Sequence, residues 1–286
     1  MKWSALGAVA PAELVGARDQ AHRAIQVIAA VGETHLPHVA DTSHTALVWS
    51  DAHRALLGRA TPGEGLRVGL RLDDLSLLVV DGGGMVRDER TLAGETLAGA
   101  YAWTGQALLR HSGGRLARGL VHPGYPLPPH PLERGARFEV DGAALEELAC
   151  WYANADRALQ ELAPRTAGAG EVLLWPHHFD IATLAILATD ADGDAAQTLG
   201  VGLSPGDDSF AVPYWYVNHW PTREGVRPEE PGALGELAAG EWHTEDWLGA
   251  VLRADELVGA GDGAAQAAHL EAFLGSAVPA NLALIG

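Results

Sequence analysis

The densest run of reactive side chains is Trp175-Pro176-His177-His178-Phe179-Asp180. Read as an extended chain, alternation sets His178 and Asp180 on one face and His177 and Phe179 on the other. A histidine and a carboxylate two apart on one face can share a metal ion or act as an oriented acid–base pair. His44 closes the string Asp41-Thr42-Ser43-His44, and His130 lies among prolines. Brought together, His44, His178 and Asp180 would form a catalytic trio, or three ligands of a divalent metal with a position left for water. His130 is the fourth candidate ligand. A metal-free acid–base site stays open, and so does a structural reading. A His-His pair between Trp and Phe can be a hydrogen-bonded corner of a core, and the spacing matches no specific metal motif such as H-E-x-x-H.

Substrate-binding candidates accompany them. Ser204-Pro205-Gly206-Asp207-Asp208 has the chemistry of a tight turn, with Asp207 available as ligand or base. Pro213-Tyr214-Trp215-Tyr216-Val217, read as a strand, puts Tyr214 and Tyr216 on one face, where they could line a pocket or sit half-buried in a sheet. His177 completes this set. Other chemistry fails sooner. No serine lies in a G-x-S-x-G elbow, and Gly82-Gly83-Gly84 lacks the spacing of a dinucleotide fingerprint. Cys150 falls inside an amphipathic helical pattern, which favours packing over catalysis.

The bulk composition narrows the classes further. The chain has 286 residues and a formal net charge of −18, with 37 acidic side chains against 19 basic ones. Lys2 is the only lysine, so no internal Schiff base to pyridoxal phosphate and no Walker lysine is available. One cysteine cannot make an intramolecular disulfide or a thiolate cage for an iron–sulfur cluster. The acidic balance argues against a nucleic-acid surface. No uncharged apolar run approaches the roughly 20 residues of a membrane span. The Met1-Lys2-Trp3 start with its short apolar stretch is a thin match to a secretory leader, so a cytoplasmic protein acting on a small molecule is expected.

Periodicity supplies the frame. Apolar spacing predicts a helix from Pro11 to Ala30, ended by Gly32, and an extended stretch from Thr45 to Trp49. Strands are expected at 66–72 and 75–80, joined as a hairpin by Asp73-Asp74, then a helix at 91–110. Five prolines between Val121 and Arg134 exclude a helix there and predict an extended connector. Beyond it come a helix at 143–162, a strand at 172–175, and an undecided stretch at 179–188. Strands at 198–203, 212–217 and 247–252 follow, with a loop at 221–240 and a last helix at 263–274.

Some strings recur. Ala21-His22-Arg23-Ala24 matches Ala155-Asp156-Arg157-Ala158 at an offset of 134, computed as 155 − 21. The same offset relates His44 to His178 and Asp73-Asp74 to Asp207-Asp208. The expectation is an α+β protein of two similar α-β-β-β-α halves with antiparallel sheets, related by a pseudo-two-fold internal repeat. The halves would be 1–120 and 141–286, with 121–140 as connector.

The strings Asp41-Thr42-Ser43-His44-Thr45, Pro129-His130-Pro131-Leu132, Trp175 through Asp180, Ser204 through Asp207 and Pro213 through Val217 resemble those of a group of bacterial proteins of uncharacterised function. More distantly, the chain is similar to the DUF5996 group. The likeness runs from the first helix to Val217 and implies no activity. From the residues themselves, the leading expectation is a metal-dependent hydrolase of a small molecule. The alternative is a binding protein that uses the same histidine and aromatic cleft without turnover.

Overall fold

The computed structural model describes residues 3–230 and 232–286. Met1 and Lys2, which carry the leader-like start, and Pro231 of the 221–240 loop lie outside the described residues. The chain forms two compact units, and neither is one continuous stretch. The first comprises Glu13–Ala149 and Leu173–Phe179; the second comprises the N-terminal residues through Ala12, Cys150–Val172 and Asp180–Gly286. The proline-rich segment 121–140 belongs wholly to the first unit.

A 3-10 turn at Pro11–Leu14 crosses the sequence boundary and leads into helix α1 (Val15–His35) of the first unit. Then come strands β1 (Leu47–Ser50), β2 (Ala55–Gly58), β3 (Arg67–Arg71), β4 (Ser76–Val80) and β5 (Val86–Thr91), and helix α2 (Leu97–His111). Strand β6 (Leu173–Trp175) pairs with β1, so the antiparallel order is β6-β1-β2-β3-β4-β5. The β3–β4 hairpin turns through Asp73-Asp74, as the sequence predicts. Every residue of β4 is buried, as expected of an unbroken Ser-Leu-Leu-Val-Val run covered on both faces. Helix α1 is buried without a break from Arg23 to Gly32 and packs on β2 and β3. At Gly58 an added Cβ would come within 2.6 Å of the Ile28 Cγ2, so the glycine lets this helix close on the sheet.

Helix α3 (Gly142–Leu162) spans the sequence boundary at Cys150. The second unit continues with β7 (Asp180–Thr189), β8 (Ala195–Ser204), β9 (Tyr214–Trp220), β10 (Glu241–His243) and β11 (Gly249–Arg253). Its antiparallel order is β10-β11-β9-β8-β7. Helices α4 (Ala254–Gly259) and α5 (Gly263–Leu282) close the chain, with α5 packed on β8, β9 and β11. Asp262 caps α5 by accepting from the backbone N–H groups of Ala264 and Ala265, which satisfies two of the helix's orphan donors.

The α+β class and the antiparallel pairing are therefore as expected. The undecided stretch after Phe179 is a ten-residue strand. Two boundaries need correction. Helix α1 does not stop at Gly32 but runs to His35, where Pro37 forbids another turn. Thr91 is the last residue of strand β5, and α2 starts only at Leu97, where the Thr96 side chain caps it by accepting from the Gly99 N–H. No helix among the described residues is long and apolar enough to cross a membrane.

Candidate metal centre

The last turn of α1 carries Glu33, two residues before the helix ends. The chain then reverses through Pro37, His38 and a left-handed Thr42, and winds into a 3-10 turn at Ser43–Thr45. Ser43 is held there by Asp41, whose Oδ1 accepts from both its N–H (3.0 Å) and its hydroxyl (2.7 Å). This reversal lays His44 back on the helix it has just left. The contact requires Gly32, where a Cβ would strike the His44 carbonyl oxygen and come within 3.0 Å of the Thr45 Cα.

The result is a cluster of Glu33, His38 and His44, whose ligand atoms all lie within 4.8 Å of one another. His44 is buried, Glu33 half-buried and His38 exposed. His44 Nε2 is 3.0 Å from Glu33 Oε2, and its Nδ1 accepts a long 3.4 Å hydrogen bond from the Val39 N–H. That pattern assigns the ring proton to Nε2, donated to the carboxylate. The rings of His38 and His44 are 4.6 Å apart. Two imidazoles and a carboxylate from one short segment can hold one divalent cation and leave positions open.

Earlier on the same helix lies a polar hub. Gln26, one buried residue of α1, uses all four of its side-chain hydrogen-bonding positions. Its Nε2 donates to the carbonyls of His22 (2.9 Å) and Pro176 (2.8 Å). Its Oε1 accepts from the Tyr125 hydroxyl at 2.6 Å and contacts His122 Nε2 at 3.3 Å. The Tyr101 hydroxyl donates to the Gln26 carbonyl at 3.2 Å. His22 Nε2 donates to the Pro176 carbonyl at 3.0 Å while its ring stacks on Phe179 at 5.2 Å. Burial pushes His22 down to about 4, so it is neutral at pH 7. Burial also raises the Tyr125 phenol, with smaller contributions from Tyr101 and Glu33.

The remaining expected residues fall in several places. His178 and Asp180 are not alternate residues of one strand: 176–179 is a turn, Phe179 is left-handed (φ 63°), and β7 starts only at Asp180. His178 is exposed on that turn. His177 packs its ring against Tyr125 at 5.6 Å and against His178 at 4.3 Å. Burial, and then the His178 charge, push His177 down to about 4. His130 caps a 3-10 turn at Pro131–Arg134, its Nδ1 accepting from the Leu132 N–H at 3.3 Å. Of the expected ligands His44, His178, Asp180 and His130, the cluster contains His44 alone.

Asp180, Asp207, Tyr214 and Tyr216 belong to the second unit, where they form two tyrosine–carboxylate pairs. The Tyr214 hydroxyl donates to Asp207 Oδ2 at 2.6 Å, and the Tyr216 hydroxyl donates to Asp180 Oδ2 at 2.5 Å. Asp207 Oδ1 meanwhile accepts from the Ser209 and Phe210 N–H groups, which makes it an organiser of its loop. Tyr216 lies across Gly202, its cross-strand partner, where a Cβ would meet the phenol oxygen at 2.6 Å. Burial drives both tyrosines upward, reinforced by these carboxylates.

Sequence reasoning passed over Glu33 and His38. The available signal was local: Glu-x4-His-x5-His across a helix end marked by Pro37. Set against known proteins, the chain matches no family model, no curated protein and no solved structure.

Proposed function

We propose that the protein is a metal-dependent hydrolase of a small molecule, with Glu33, His38 and His44 as the protein ligands of one divalent ion. The observation that carries this reading is the convergence of three ligand atoms within 4.8 Å. A divalent ion held by two histidines and a carboxylate supplies Lewis acidity and a water of lowered pKa. The protein's own groups do the rest. Ligation through His44 Nε2 would require the ring proton on Nδ1, in place of the long hydrogen bond from the Val39 N–H, so that Glu33 stays an ionised carboxylate ligand. Tyr125, whose hydroxyl is held by Gln26, is proposed as a wall of the substrate space. His177, neutral at pH 7 and packed on Tyr125, is proposed as the acid–base group. His178 and His130 remain proposed accessory ligands, and within the second unit Asp180, Asp207, Tyr214 and Tyr216 are proposed, by themselves, as small-molecule contacts. A cytoplasmic location, kinship with the bacterial group named above and an internal duplication belong to the same proposal.

Binding without turnover is the second reading. It is favoured by the double use of Glu33, which is both a ligand of the cluster and the hydrogen-bond partner of His44.

The test is elemental analysis of untagged protein, followed by titration with zinc, manganese and iron(II), for the wild type and for Glu33→Gln, His38→Ala and His44→Ala. Near-stoichiometric metal that each substitution removes supports the site. Metal-dependent cleavage in an ester, amide and phosphoester panel, lost in the same variants, supports hydrolysis. Metal without cleavage leaves the binding reading, and no metal under any condition defeats both metal-based roles.

A further inference from the structure

A cavity of 330 Å³ opens in the first unit between α2 and the segment 117–120. Its space comes from missing side chains: Ala102 and Gly105 on the helix face Ala117 and Gly119 on the segment. A Cβ placed on Gly105 or Gly119 would meet nothing within 4 Å. The volume lies at the small end of ligand pockets, about 300–1,000 Å³.

The polar lining is uneven in sign. Tyr101, Gln106 and Arg118 are its polar residues, and none of the lining residues is acidic. That is unusual in a chain whose acids outnumber its bases 37 to 19. Several arginines elsewhere meet carboxylates: Arg54 meets Asp73, Arg110 meets Asp88, and Arg71 meets Asp74 and Glu89. Arg118 and Gln106 are exposed at the rim of the cavity, and among the described residues the guanidinium has no ion-pair partner and the carboxamide no hydrogen-bond partner. The Tyr101 hydroxyl is already committed to the Gln26 carbonyl, which fixes the ring as a rigid wall.

We propose that this cavity binds a small organic carboxylate, with Arg118 gripping the carboxylate and Gln106 adding an amide donor. The body of the ligand is apolar or aromatic, packed on Tyr101 in the space over Gly105 and Gly119. A planar guanidinium fork matches a planar carboxylate through two parallel hydrogen bonds. The fit needs no metal, so the site stands or falls apart from the Glu33–His38–His44 cluster.

The experiment is ligand-observed NMR and calorimetry on the full chain with acetate, benzoate, phenylacetate and inorganic phosphate as probes. Benzoate or phenylacetate should bind more tightly than acetate. Arg118→Gln should weaken that binding by about tenfold or more, the worth of a charged hydrogen bond. Gly105→Leu should abolish it by filling the cavity, with an unchanged circular dichroism spectrum showing an intact fold. His38→Ala should leave it unaltered. Absence of carboxylate binding to the wild type, or binding indifferent to both Arg118→Gln and Gly105→Leu, overturns the proposal. Phosphate binding alone, lost in Arg118→Gln, overturns the carboxylate assignment in favour of a phosphoryl ligand.

Discussion

Gly32 lies directly against His44: a Cβ at residue 32 would collide with the carbonyl oxygen at residue 44. The absent side chain of one residue thus sets the position of the other, and with it the distance from His44 to Glu33. In Gly32→Ala, the gain of roughly 1 kcal/mol in helix propensity is opposed by a backbone collision. Overpacking of this kind typically costs about 1–3 kcal/mol. The net expectation is a lower melting temperature together with weaker divalent-metal binding. Thermal denaturation and metal titration check the two effects; a variant that is more stable and binds metal normally would show that the 3-10 turn shifts freely.

The three ligands should separate by burial. His38 is exposed and His44 buried. His38→Ala should therefore lose metal affinity by at least about tenfold, as deletion of a charged or metal-facing partner does, with little change in stability. His44→Ala should lose both, because it also removes the partner of Glu33 and opens a void. Paired calorimetry and urea denaturation distinguish the two patterns.

Gln26 offers a test of the hub. Replacing it with Leu keeps the approximate volume but strips the acceptor from the Tyr125 hydroxyl and a donor from the Pro176 carbonyl. Orphaned buried polar groups cost about 1–3 kcal/mol each, so Gln26→Leu should lower unfolding free energy by about 2–4 kcal/mol. Urea midpoints at constant m-value measure it. Loss of Tyr125 order should accompany the change in aromatic NMR spectra.

Stability should fall on acidification. His22 and His177 sit near 4 in the fold against an ordinary 6.5, both through burial. As pH drops below 6.5, the unfolded chain takes up these protons before the folded one does. Their contribution is therefore complete above pH 6.5 and lost progressively down to about pH 4. For the more buried His22 it is worth up to about 3 kcal/mol. His22→Gln should flatten the pH dependence of the urea midpoint across that window. An unchanged profile would mean that His22 is hydrated in solution.

The chemical inventory was decided by the sequence alone. One lysine and one cysteine removed whole classes of covalent and thiolate chemistry, and no folding could restore them. Local periodicity also sufficed for the Asp73-Asp74 hairpin, for α3 at Gly142–Leu162 and for most strands, because a continuous apolar run or a 3.6-residue stripe needs no knowledge of its partner.

Assembly of the site was another matter. His178 and Asp180 share a face only if the chain between them is extended, and the left-handed Phe179 turns it. That conformation comes with a ring stacked on His22, about 150 residues earlier in the chain, which no pattern within Trp175–Asp180 contains. Glu33 and His38 were close to His44 in sequence, yet their convergence depended on a chain reversal docked against a glycine that looked like a helix stop. Which side chains meet is fixed by backbone approach distances, and those are a property of the packed structure.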